Sequence, residues 1–159
     1  MHRLASLAVF LLLVVLAAAV SGQFVADEWY HTMIQPSWSP SAMVMASVWA
    51  VLYVLMAMSA WMVWDTKRGL AFVALSWWGL QLVLSVCWSW MFFGLERIGW
   101  SLMVMGLWFV AVLMVIKTFR SIKQEASSLM IPVAVWLLFM GVLNFVQWHL
   151  NGGGIGTVF

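Results

Sequence analysis

Apolar residues fall into five runs, Leu4–Gly22, Ala42–Trp64, Leu70–Phe93, Gly99–Ile116 and Leu129–His149, and none contains Asp, Glu, Lys or Arg. Each is close to the twenty or so residues an α-helix needs to cross the hydrocarbon core of a bilayer. The pattern predicts an all-α integral membrane protein, a single domain spanning residues 1–159 and built as a five transmembrane helix bundle. The breaks between runs are short, so neighbouring helices are expected to be antiparallel. The exception precedes the second run, where Trp29–Ser41 carries Pro36 and Pro40 on either side of Trp38. Proline fixes φ and keeps the preceding residue out of the α region. That loop is therefore stiff for its length, and a Trp-bearing stiff loop ahead of a membrane helix is expected to act as a capping lid.

Cations in the breaks predict the topology. Arg3, Lys67, Arg68, Lys117, Arg120 and Lys123 fall on the side of the N-terminus, and Arg97 alone on the other. Positive loops stay in the cytoplasm. In a bacterial cytoplasmic membrane the N-terminus is then cytoplasmic, with the Trp38 loop and the C-terminus outside; an outer membrane, where the rule is less reliable, stays open as a location. The first run also carries signal-peptide features, Arg3 ahead of it and Ala19-Val20-Ser21 as a small-residue cleavage site. It is long for a signal core, so a retained first helix is expected.

Uncharged polar residues inside the runs define inward faces, because polar groups are costly against lipid. Gln81, Ser85, Trp88, Ser89 and Phe92 share a face at spacings of three and four. So do Trp136, Met140, Asn144 and Gln147, and likewise Trp49, Tyr53 and Met56. One reading is that the amides and serines only join helices by hydrogen bonds. The other is that three faces of indoles, a phenol and a few amides line an apolar pocket for a flat ligand. Trp64, Trp77, Trp78, Trp100 and Trp148 lie near run ends and are expected in the interfacial aromatic belt. Trp49 and Trp136 lie deeper.

Several of these stretches match one known family in order. Trp29-Tyr30, Gln35-Pro36-Ser37-Trp38-Ser39-Pro40, Val48-Trp49 with Leu52-Tyr53, Gln81 to Ser85 with Trp88 and Phe92-Phe93-Gly94, and Pro132, Trp136, Phe139, Leu143-Asn144, Trp148 and Asn151 resemble the tryptophan-rich sensory protein / translocator protein family (peripheral benzodiazepine receptor). The resemblance implies a membrane receptor, sensor or carrier that binds porphyrins such as protoporphyrin IX or haem under a capping first loop. It implies pocket residues Trp38, Trp49, Tyr53, Trp88, Trp136 and Asn144, to which the polar face adds Gln81, Ser85 and Met140. His31, Arg97 and His149 are candidates to meet ligand carboxylates at the rim. The alternatives are light- and oxygen-dependent porphyrin breakdown, with Trp49 and Trp136 as the working indoles, and a ligand-free scaffold. Four positions depart from the family pattern: Gln35 for a Lys, Ser41 for a Pro, Ser85 for an Asn and Val133 for a Tyr. Gln35 and Ser85 are expected to remove polar contacts. Leu143–His149 has neither the Tyr nor the basic residue of the animal family's proposed cholesterol motif, so cholesterol is not the expected ligand.

Composition narrows the remaining classes. The chain is 66% hydrophobic and 8% charged, against about one-quarter charged in a soluble domain, so lipid is its solvent. A formal charge of +2 gives no footprint for nucleic acid. The single cysteine, Cys87, forms no intrachain disulfide. His2, His31 and His149 lack metal-ligand spacing, so no metal is expected. No small-xxx-small stripe marks a dimer face, and a homodimer stays open. The topology is directly testable: cysteines placed at Ser127 and Gly153 should react with impermeant reagents from opposite sides of the membrane, and labelling from one side would refute five spans.

Overall fold

The computed structural model of the chain describes residues 2–24, 28–66 and 69–152. Among these residues seven α-helices follow in order: α1 (His2–Ser21), α2 (Glu28–Thr32), α3 (Ala42–Trp64), α4 (Ala71–Ser89), α5 (Ile98–Arg120), α6 (Gln124–Leu129) and α7 (Ile131–Leu150), with a π-helical turn, Trp90–Gly94, ending α4. Among the described residues five helical stretches are long and apolar enough to cross a membrane. This is an all-α multi-pass membrane protein.

Local chemistry explains the ends. Ser41 caps α3, its hydroxyl accepting from the Val44 amide at 3.4 Å, which uses one of the donors a helix start leaves unpaired. Pro132 sits in the first turn of α7, where its missing N–H costs nothing. The apolar run ending at Ile116 understates α5, which winds on to Arg120 with Lys117 and Arg120 exposed; their stems can carry the charges out to the interface. Two short helices had no signature in the apolar pattern. α2 forms in the long first loop, and α6 tucks beneath α3, where the Ser59 hydroxyl donates to the Ala126 carbonyl at 2.7 Å. Lys67, Arg68 and Gly153 lie outside the described residues. Ser127 is buried and donates to the Ile116 carbonyl, so the exposed neighbour Ser128 is the better labelling position.

The packing is a ring. α1 lies against α3 and α4, α4 against α5, and α5 against α7, whereas α3 meets α7 only sparsely. The buried polar residues join these helices. Trp78, expected in the aromatic belt, is 3% exposed and donates from Nε1 to the Met56 carbonyl at 3.0 Å. Trp148 is half-buried rather than exposed, while Trp64 and Trp100 do face outward. Gln81 accepts from Trp108 Nε1 at 3.0 Å and turns its own Nε2 to Met56 Sδ at 3.5 Å, linking α4 to α5 and α3. Asn144 on α7 accepts from Trp88 Nε1 at 3.0 Å and from Ser101 Oγ at 3.1 Å, and donates to the Ile98 carbonyl at 3.3 Å. One amide thereby holds α4, α5 and α7 together.

Replacing Asn144 by Leu should leave Trp88 Nε1 buried without an acceptor, at a cost of about 1–3 kcal/mol. Thermal unfolding in detergent should show a lowered midpoint. An unchanged midpoint would show that the hub contributes nothing.

Candidate functional site

The bundle is hollow on the side of the first loop. A cavity of about 800 Å³ lies among α1, α2, α3, α4 and the first loop, with Trp108 of α5 and Met140 of α7 completing the wall. That is within the size range of small-molecule sites. Its wall is largely aromatic and small apolar, and no Asp, Glu, Lys or Arg is part of it.

Trp49 and Tyr53 reach it because they are four apart on α3 and so share a face; their rings lie 5.9 Å apart. Trp49 stacks on Trp108 at 5.5 Å with the planes 11° apart, and Trp108 is 6.5 Å from Trp88. Three indoles from α3, α5 and α4 thus form one continuous wall. The Tyr53 hydroxyl lies near Ser21 and Ser85. Ser85 Oγ donates back to the Leu82 carbonyl at 2.6 Å, and Ser21 Oγ has no partner with hydrogen-bonding geometry among the described residues.

The π turn shapes one corner. The amide of Leu95 reaches back to the Trp90 carbonyl, and that of Arg97 to Met91. Phe92 and Phe93, adjacent in the chain, lie with rings 4.8 Å apart, and Trp29 and Tyr30 of α2 pack on them. Burial pushes the Tyr30 phenol above its ordinary pKa, so it stays protonated as a donor. Gly94 has no room for a side chain: a Cβ there would meet Trp90 at 2.9 Å and Phe24 at 3.0 Å.

The first loop is tied to the far end of the chain. Asn151 accepts from the Ile34 amide at 2.9 Å and donates to the Ile34 carbonyl at 3.0 Å. Gln147 Nε2 donates to Gln35 Oε1 at 2.7 Å. Gln35, expected to lose a polar contact, is therefore a tether of the loop. Beyond it Gln35, Ser39 and Pro40 form part of the cavity wall.

Of the residues singled out from sequence, Trp49, Tyr53, Ser85, Trp88, Met140 and His31 line the cavity. Gln81 and Asn144 do not; both are consumed by interhelical bonds behind the wall. Trp38 and Trp136 stand apart from the lining. Trp38 is 45% exposed and meets Phe139 edge-on at 5.8 Å, and Trp136 stacks on Phe139 at 5.0 Å. Arg97 and His149 are exposed and do not join His31 at the cavity. Trp108, Ser21, Gln35 and Phe93 were missed. Ser101, Met105, Trp108 and Val112 recur at helical spacing on α5 and are all buried, so the stripe was readable for Trp108. Among the described residues no group of three or more His, Cys, Asp or Glu is placed to hold a metal ion.

A ring of five spanning helices, hollow beneath a loop tethered across its mouth, defines a membrane protein built around an internal aromatic cavity. The sequence pattern of the TspO/MBR family matches residues 8–149. The chain is 32% identical over 147 residues to the human translocator protein, covering 89% of this chain and 87% of that one. It is 30% identical over 148 residues to protein CrtK of Rhodobacter capsulatus, covering 92% of each. It is also 30% identical over 125 residues to the tryptophan-rich sensory protein of Cereibacter sphaeroides, covering 79% and 78%. The chain belongs to the TspO/MBR family.

The tether generates a prediction. Replacing Gln147 and Asn151 together by Ala should release the loop while leaving helix content unchanged. Limited proteolysis within residues 34–41 should then be faster than in the parent protein. Equal rates would mean that the loop is held by something other than these two side chains.

Proposed function

We propose that this protein is a membrane receptor, sensor or carrier for porphyrins and related flat hydrophobic molecules, held in the cavity under the first loop. The observation that carries the reading is the wall itself: Trp49 stacked on Trp108, continued by Trp88 and faced by Tyr53, around about 800 Å³ without a charged side chain from Asp, Glu, Lys or Arg. Flat indole faces favour a flat polarizable guest by offset stacking. The relatives' names, translocator protein and tryptophan-rich sensory protein, agree with a role in passing or sensing a molecule. In a bacterial cytoplasmic membrane the cation asymmetry supports an orientation with the N-terminus inside and the loop outside. In that setting ligand reaches the cavity from the outer face or laterally from lipid, and the sparse contact between α3 and α7 is the weakest part of the ring.

Light-dependent porphyrin breakdown is the second reading, favoured by the same stacked indoles, which lie where an excited ring could exchange an electron with Trp49. Of the two tryptophans named for it, Trp49 lines the cavity and Trp136 does not. Between these two, any such role falls on Trp49.

Titration of the purified protein in nanodiscs with protoporphyrin IX, in the dark, should quench Trp fluorescence saturably. Trp49→Ala should weaken binding by about 1–3 kcal/mol, the scale of a lost aromatic contact. Trp136→Ala and Trp77→Ala should change it much less. Equal losses at all three positions would sink the cavity as the binding site. Illumination of the complex in air should leave the porphyrin spectrum unchanged if the protein only binds, and a new product band would favour the enzyme.

A further inference from the structure

We propose that the loop end of the cavity is a hydrogen-bond donor site that takes the carboxylate or carbonyl end of the bound molecule, with Gln35 Nε2 and Ser21 Oγ as the donors. The proposal rests on the cavity being a ligand site, and it adds which way the ligand points and which residues select its polar end.

Four buried side-chain atoms among the described residues have no hydrogen-bond partner: Ser21 Oγ, Gln35 Nε2, Trp136 Nε1 and Trp148 Nε1. Two of them, Ser21 and Gln35, belong to residues that line this one cavity. A buried polar atom without a partner costs about 1–3 kcal/mol, and such atoms are rare enough that each needs a reason. Both lie at the loop end. Ser21 is the last residue of α1, and Gln35 begins the Pro36–Pro40 segment that covers the mouth. His31 is on the wall at the same end.

The orientation of the Gln35 amide is set by its neighbour. Its oxygen accepts from Gln147 Nε2 at 2.7 Å and more distantly from Ser39 Oγ at 3.4 Å, so the nitrogen is the atom left over. That nitrogen carries only donors. The Ser21 hydroxyl, which lies beside that of Tyr53, supplies another, and the start of α3, whose first residue Ala42 also lines the cavity, adds partial positive charge. No carboxylate lines the wall to compete. Donors gathered at one end of an otherwise apolar cavity select a guest with its acceptors at one end. A porphyrin with two carboxylates on one edge has that form, and its ring would extend down toward Trp49 and Trp108. The guest would offer acceptors to Gln35 Nε2 and Ser21 Oγ, against the tethered segment of the loop.

The test uses Gln35→Glu, because glutamate keeps the oxygen that accepts from Gln147 and replaces only the NH₂ donor. Ser21→Ala is the second variant. Binding of protoporphyrin IX is compared with octaethylporphyrin, a ring of the same plan without carboxylates, by Trp quenching in nanodiscs. The parent protein should prefer protoporphyrin IX. Gln35→Glu should weaken protoporphyrin IX about tenfold or more and Ser21→Ala severalfold, the scale for hydrogen bonds to a charged group, while octaethylporphyrin is unchanged. If both porphyrins bind the parent protein and Gln35→Glu changes neither or both equally, the donor site is wrong, water fills that end, and the cavity reading stands. If neither porphyrin binds the parent protein, the binding reading itself fails and the donor site with it.

Discussion

A polar group inside a membrane has little choice of partner, and the fold is arranged around that scarcity. Lipid cannot replace a lost hydrogen bond, and helices in lipid are not driven together by hydrophobicity, since the tails are as apolar as the side chains. What remains is packing and a small number of polar contacts. Asn144 supplies the densest of these, with three partners on two other helices. Gln81 supplies a second, between the indole of Trp108 and the sulfur of Met56. Both hold the rings of the cavity wall by their N–H edges. Trp88 and Trp108 border the cavity with their nitrogens bonded to these two amides. The amides thus act through the indoles, setting their angle.

The same economy governs the cover. The first loop spans the mouth with two prolines, which reduce the entropy lost on ordering, and with a short helix whose Trp29 and Tyr30 pack on Phe92 and Phe93. It is also held to α7, by Trp38 against Phe139 and by the side chains of Gln147 and Asn151 at the helix end. Loop and final helix therefore form one unit, although over a hundred residues separate them in the chain.

How much of this could be read from the sequence depends on the kind of signal. The five spans were legible because apolar length is a one-dimensional property. The inward faces were legible too, since a polar residue in lipid must turn inward wherever its neighbours are. What the face could not say is whether the residue looks into a hollow or into another helix. Ser85 and Trp88 border the cavity, while Gln81 and Asn144, on the same faces, are spent on interhelical bonds. Trp136 shared its face with Met140, yet its indole lies against Phe139 and only the thioether is at the wall. The Gln35 tether was hidden for a related reason: its partner, Gln147, lies at the other end of the chain. Trp78 sits near a run end like the true interfacial tryptophans, and what distinguishes it lies on other helices: the carbonyl of Met56 and the ring of Phe10.

The π turn at the end of α4 is one residue wider than an α-helical turn. In a regular helix adjacent residues point about 100° apart, so Phe92 and Phe93 would not crowd the same corner. Trp88 stacks on Phe92, four residues on, at 5.3 Å as an ordinary helical pair would, and the widened turn brings Phe93, five residues on, edge-on to the same indole at 6.0 Å. The aromatic corner is thus encoded by a count of residues as well as by their identity. Removing a single residue anywhere in Trp90–Gly94 would relax the turn into ordinary helix and swing one phenyl ring out of the corner. It would also carry Gly94 away from the narrow place where Phe24 comes closest. For this segment length is a more stringent constraint than composition, and a chemically mild change of side chain would disturb the cavity less than a silent-looking deletion.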